Sequence, residues 1–143
     1  MLGALACAGK QVLVPFGGQR RYDLAYEEKD RLIKVQCKTG REMRGVIVFH
    51  SYSLGRGPMR DYRGEVDVFG VYCHSRGEVY LVPVEDVPLR TATLRLEPTR
   101  NRQETGVRWA ADYLLARHVH EPGCSGLSLS PRKPLQAKIP DID

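Results

Sequence analysis

At 143 residues, 42% hydrophobic and 27% charged, the chain has the size and composition of one globular domain with its own core. No apolar run approaches the ~20 residues of a membrane span. Met1–Ala8 is too short for a signal peptide and has no basic stretch before it, so the cytoplasm is the expected location. The net charge of +5 is unevenly spread: residues 1–64 carry 12 Lys+Arg against 6 Asp+Glu, and residues 65–143 carry 10 against 11. A surface that binds phosphate needs such a local excess. A solvated basic face kept for solubility has the same composition.

In chain order, a short helix is expected up to Ala8, closed by Gly9, then a strand over Gln11–Val14 and a turn at Gly17-Gly18. Two strands, Tyr22–Glu27 and Leu32–Lys38, flank the polar stretch Glu28-Lys29-Asp30-Arg31. A hairpin centred on Lys29-Asp30 sets Asp23 opposite Gln36. Side chains alternate across a strand and directly opposite residues share a face, so Asp23, Gln36 and Lys38 converge on one side. Leu24, Tyr26, Ile33, Val35 and Cys37 take the other side and suit a core. A polar face over an apolar one is also what any half-buried strand shows.

Thr39–Arg44 reads as a polar loop and Val46–Phe49 as a strand. His50–Gly64 is irregular and interleaves Arg56, Arg60 and Arg63 with Tyr52, Tyr62, glycines and Pro58. That mixture suits a loop contacting nucleic acid, with guanidinium for phosphate and tyrosine for stacking; a plain surface loop is the other reading. Val66–Cys73 and Glu78–Val82 form a second hairpin around Ser75-Arg76-Gly77. Thr91–Leu96 alternates as a strand, and Gly106–Ala116 has helical spacing through Val107, Ala110, Ala111, Leu114 and Leu115. Pro122, Gly123, Gly126, Pro131, Pro134 and Pro140 then punctuate a segment without periodicity. The organisation expected is one domain over residues 1–118 and a disordered, dispensable tail over 119–143.

Cys7, Cys37, Cys73 and Cys124 form no CxxC pair, which supports neither a zinc site nor a disulfide framework. They read as buried free thiols in a reducing compartment. His118-x-His120 and Cys73-His74 read as surface or structural residues rather than metal ligands.

Val14-Pro15-Phe16-Gly17-Gly18, Arg21-Tyr22-Asp23-Leu24 and Val35-Gln36-Cys37-Lys38-Thr39-Gly40-Arg41 resemble the group I intron-associated, homing-endonuclease-like branch of the PD-(D/E)XK nucleases. Gly45-Val46-Ile47, Tyr62-Arg63-Gly64-Glu65-Val66-Asp67, Val71-Tyr72, Val79-Tyr80-Leu81-Val82-Pro83, Asn101-Arg102-Gln103 and Gly106-Val107-Arg108-Trp109-Ala110 extend the likeness over roughly residues 1–115. The resemblance implies an α/β (α+β) fold: a mixed central sheet flanked by helices, with a restriction-endonuclease-like core. It maps the metal-binding Asp onto Asp23, the second ligand onto Gln36 and the lysine onto Lys38, with the Cys37 backbone carbonyl completing the metal site. Most of the superfamily carries Glu where this chain has Gln36; this branch resembles the chain in that, and a neutral amide oxygen still ligates a hard cation with less charge.

Such nucleases usually open with a helix bearing a Glu. Here no acidic residue precedes Asp23, so the resemblance implies a first helix shortened to its last turns. The function so implied is hydrolysis of phosphodiester bonds with Mg2+ (or Mn2+). Double-stranded DNA is the expected partner, and a homo-oligomer, dimer or higher, the expected assembly. Arg20, Arg21, Thr39, Arg41, Arg44, Tyr52, Arg56, Arg60 and Arg63 are the candidate DNA contacts. A catalytically inactive DNA-binding module on the same fold, and a repair or junction-resolving nuclease, are the alternatives.

Overall fold

A computed structural model describes residues 1–18, 20–53, 58–98 and 104–116. Helix α1 (Leu2–Cys7) is followed by strands β1 (Val12–Leu13), β2 (Leu24–Glu28), β3 (Arg31–Met43), β4 (Val46–His50), β5 (Val68–Cys73) and β6 (Glu78–Pro83). A 3-10 turn (Val84–Asp86), β7 (Thr91–Arg95) and helix α2 (Ala110–Tyr113) complete the described chain. The expected tail over 119–143 lies outside the described residues, and no described helix is long and apolar enough to cross a membrane.

The fold is α+β, built on one mixed seven-stranded sheet. β1, β2, β3, β4 and β7 follow one another in antiparallel pairs, while β5 lies parallel to β3 and carries β6 on its far side. The long strand β3 organises everything: it pairs with β2 through residues 31–35, with β5 through 35–40 and with β4 through 41–43. Lys29 and Asp30, at φ 49° and 61°, make the two-residue turn between β2 and β3. Positive φ at both turn positions matches the right-handed twist of the flanking strands.

Two cores cover the two faces of the sheet. On one, α1 lays Leu5 against Leu24, Tyr26, Ile33 and Val35. The helix is short because Gly9, at φ 74°, stops it: its N–H bonds the Ala6 carbonyl at 2.9 Å, and the Lys10 N–H bonds the Leu5 carbonyl at 3.0 Å. That pair of bonds satisfies the last carbonyls of the helix. On the other face, Ile47, Phe49, Phe69, Val71, Tyr80, Val82 and Leu94 form the larger core with Tyr62 and Val66.

Three expectations need correction. Thr39–Arg44 is not a loop: β3 runs on to Met43 and turns at Arg44-Gly45, at φ 49° and 75°. The helix expected over Gly106–Ala116 shrinks to Ala110–Tyr113, with Trp109 and Leu114 extended on either side. Their backbones bridge to Arg95 and Tyr80, and the Leu115 N–H bonds the Val79 carbonyl at 2.8 Å. Open sheet edges offering hydrogen bonds outweigh the weak preference of this segment for helix. Of the thiols, Cys73 is buried and Cys37 half-buried, but Cys7 is exposed on the solvent side of α1.

Gly40 lets β3 continue past the larger core. A Cβ there would sit 2.6 Å from Ile47 Cγ2 and 2.8 Å from Val71 Cγ1, both on fully buried, stiff β-branched side chains. Gly40→Ala is expected to destabilise by about 1–3 kcal/mol through overpacking. The melting temperature should then fall by roughly 5–10 °C. An unchanged melting curve would mean that the two methyl groups move aside freely.

Candidate active site

The turn at Lys29-Asp30 fixes Leu24 opposite Val35 and Glu28 opposite Arg31. That register brings the residue before β2, Asp23, up to Gln36, as the sequence predicts. One carboxylate oxygen of Asp23, Oδ2, accepts hydrogen bonds from Gln36 Nε2 at 2.7 Å and from the Cys37 N–H at 2.8 Å. The Asp23 N–H in turn bonds the Val35 carbonyl at 2.9 Å. In a strand, the N–H and C=O of one residue point to the same edge. The Cys37 carbonyl therefore opens toward Asp23, beyond the point where β2 has ended. Burial, and next the neighbouring Asp23 carboxylate, push the Cys37 thiol up to about 11, so it stays protonated beside this site.

Lys38 lies on the same face of β3 as Gln36, two residues on, but its ammonium contacts other groups. Nζ donates to the Tyr52 carbonyl at 2.9 Å and lies 3.4 Å from the Tyr62 hydroxyl, 4.7 Å from the Tyr62 ring centre and 5.8 Å from that of Phe69. Asp23 and Gln36 thus meet directly, while Lys38, on the same face of β3, has its ammonium held by Tyr52 and Tyr62.

The basic residues divide into two groups. Arg21 and Arg63 are engaged within the protein. Arg21 Nη2 donates to the Asp61 carbonyl at 2.7 Å, and its guanidinium stacks over Tyr62 at 4.3 Å. Arg21 Nε lies 2.7 Å from Glu65 Oε2, off the N–H axis, so this contact is a charge pair rather than an aligned hydrogen bond. Arg63 pairs with Asp61 and Glu85 and donates to the Val87 carbonyl at 2.9 Å. Arg60, two-thirds exposed, is only 3.8 Å from Glu65. Arg20 and Arg44 are exposed.

Because residues 39–43 are strand, alternation puts Thr39 and Arg41 on the face away from Gln36 and Lys38. Tyr52 gives its carbonyl to Lys38 and its ring edge to His50. Arg56 lies outside the described residues. Tyr62 and Glu65 are neighbours that the sequence does not announce: Tyr62 meets Lys38 and Arg21, and Glu65 meets Arg21, through the packing of a segment distant in sequence.

A family model described as PD-(D/E)XK endonuclease matches residues 1–116. The chain belongs to the PD-(D/E)XK endonuclease family. Among solved structures it is similar to a bacterial homing endonuclease, I-Ssp6803I, with a TM-score of 0.54 and 24% sequence identity. The match covers 79% of this chain and 76% of that one, and at this identity the likeness concerns the fold. Among curated proteins, none matches.

Enzymes of this family generally use divalent metal ions. The donors gathered around Asp23 are oxygens: a carboxylate, an amide that can present its oxygen by rotating end for end, and a free-edged backbone carbonyl. That chemistry fits a hard cation such as Mg2+. Among the described residues, no three His, Cys, Asp or Glu gather into a metal cluster. Asp23 is therefore the one formal negative charge in this donor set.

Proposed function

We propose that this protein is a Mg2+-dependent (or Mn2+-dependent) endonuclease that hydrolyses phosphodiester bonds in double-stranded DNA, homing-endonuclease-like in type. The observation that carries the reading is the junction of Asp23, Gln36 and the Cys37 backbone on the edge of β3, in a chain of an endonuclease family. Asp23, the Gln36 amide oxygen and the Cys37 carbonyl would hold the ion. A bound Mg2+ polarises the phosphate and lowers the pKa of the attacking water. Lys38 supplies a fixed positive charge on the same face, aimed at charge developing on the phosphate or at the water's position. Arg20 and Arg60, both exposed, would hold the backbone.

The direct test is nicking of supercoiled plasmids carrying randomised inserts, with Mg2+, with Mn2+ and with chelator. Nicking only with metal supports the reading. DNA binding with no nicking under either metal would leave the inactive binding module, which the single carboxylate of this donor set favours.

Gln36 gives a finer test. Gln36→Glu sets a second carboxylate against Asp23 Oδ2, and repulsion between them is relieved by a cation. Mg2+ should bind about tenfold tighter, roughly 1.4 kcal/mol, seen calorimetrically or as a larger Mg2+-induced rise in melting temperature. Gln36→Leu should slow cleavage by about 10²-fold, as loss of a metal-site partner does, with the melting curve unmoved. Equal Mg2+ affinity in the Glu variant, or wild-type cleavage in the Leu variant, would make Gln36 an ordinary surface residue.

DNA affinity should fall as salt rises, by about 0.9 in the log–log slope for each phosphate contact. Arg20→Gln with Arg60→Gln should flatten that slope by about two contacts. Arg63→Gln should leave it nearly unchanged, because Arg63 is already paired with Asp61 and Glu85. An equal flattening by Arg63→Gln would mean that DNA displaces those pairs.

A further inference from the structure

Tyr62 is only 4% exposed, yet two cations face its ring: the Arg21 guanidinium at 4.3 Å and the Lys38 ammonium at 4.7 Å. Its edge meets Phe69 at a centroid distance of 5.5 Å and an interplanar angle of 89°, which fixes the ring in the core. Arg21 stands two residues before Asp23, and Lys38 two residues after Gln36. One aromatic ring therefore joins the entrance of β2, which carries the carboxylate, to the strand that carries the lysine.

We propose that Tyr62 is a positioning residue of this site, holding the Lys38 ammonium at a fixed place relative to Asp23 by sharing its ring between Lys38 and Arg21. The inference rests on the nuclease reading above and deepens it. An aliphatic residue would keep the position apolar and part of its volume. It would not present negative π density to two cations, which otherwise repel each other; Glu65, 2.7 Å from Arg21 Nε, offsets the rest of that repulsion. Lysine has a long flexible stem, and an unheld ammonium would sample many positions. Here the ring, the Tyr62 hydroxyl and the Tyr52 carbonyl reduce them to one. Placement of a charge matters to a reaction even when its presence does not change: a shift of about 1 Å can cost ~10²-fold in rate.

The test combines NMR of Lys38 with single-turnover cleavage in Mg2+. In the wild type the Lys38 Hε resonances should lie upfield of other lysines, from the ring current of Tyr62. Tyr62→Phe should keep most of that shift and at least about a third of the cleavage rate, whereas Tyr62→Leu should lose the shift and cleave about 30-fold more slowly at unchanged DNA affinity. In a Lys38→Met background, Tyr62→Leu should add no further loss, because its effect passes through the lysine. Absence of an upfield shift in the wild-type protein overturns the proposal, whether or not the Leu variant folds. So does a Leu effect that is as large without Lys38 as with it. If the wild type shows the shift but no metal-dependent cleavage, the contact stands and the nuclease reading falls.

Discussion

Asp23→Ala is expected to reduce metal-dependent cleavage by about a thousandfold, roughly 4 kcal/mol of transition-state stabilisation, while the protein remains folded. Asp23 supplies the only charged ligand in the proposed donor set, and neither an amide oxygen nor a backbone carbonyl can replace its charge at the ion. The structural cost is small for a physical reason. Asp23 is exposed, so water can take over the hydrogen bonds from Gln36 Nε2 and the Cys37 N–H. Removing a negative charge near the DNA backbone should also leave affinity in chelator equal or slightly higher. The measurement is single-turnover nicking beside a melting curve and a binding isotherm. Cleavage within tenfold of wild type would move the metal site elsewhere. Asp23→Asn separates the two roles of the residue: it keeps an acceptor for Cys37 but loses the charge, and should cleave nearly as poorly as the alanine variant.

What the sequence disclosed about this site was the part fixed locally. Two turn residues at positive φ, Lys29 and Asp30, dictate the pairing of β2 with β3, and strict alternation then dictates that Asp23 meets Gln36. No distant contact is needed for that step. The partners of Lys38 were not legible in the same way. Tyr62 reaches it by packing into the larger core and Tyr52 by its backbone carbonyl just past β4, and no period in the sequence encodes either approach. For the same reason Arg21 and Arg63 read as free cations, although Asp61, Glu65 and Glu85 are folded against them. The polar run Thr39–Arg44 misled in another way. Its composition is that of a loop, but β5 and β4 supply hydrogen-bond partners along it, and Gly40 removes the side chain that would have collided with Ile47 and Val71.

The largest expected effect on stability is that of Phe49→Ala. Phe49 is 1% exposed on β4, and its ring lies 6.0 Å from that of Phe69 in an edge-to-face arrangement. Truncation removes the ring from the middle of the larger core and leaves a cavity bounded by residues anchored in several strands. Collapse into it would require the sheet itself to bend, so the cost should fall in the range of about 3–5 kcal/mol usual for aromatic-to-alanine changes. A domain whose whole stability is of order 5–15 kcal/mol would then unfold under mild conditions. In urea, with a slope of about 1–3 kcal/mol per molar, the midpoint should drop by roughly 2 M at an unchanged slope. The effect should also reach the site, since Phe69 lies between Phe49 and Tyr62, and Tyr62 holds Lys38. Folded Phe49→Ala, assayed well below its melting temperature, should therefore cleave more slowly while Asp23 and Gln36 are untouched. A midpoint within about 0.3 M of wild type, less than ~1 kcal/mol on that slope, would show that the core closes over the missing ring. The chain Phe49–Phe69–Tyr62–Lys38 would then transmit no strain to the site.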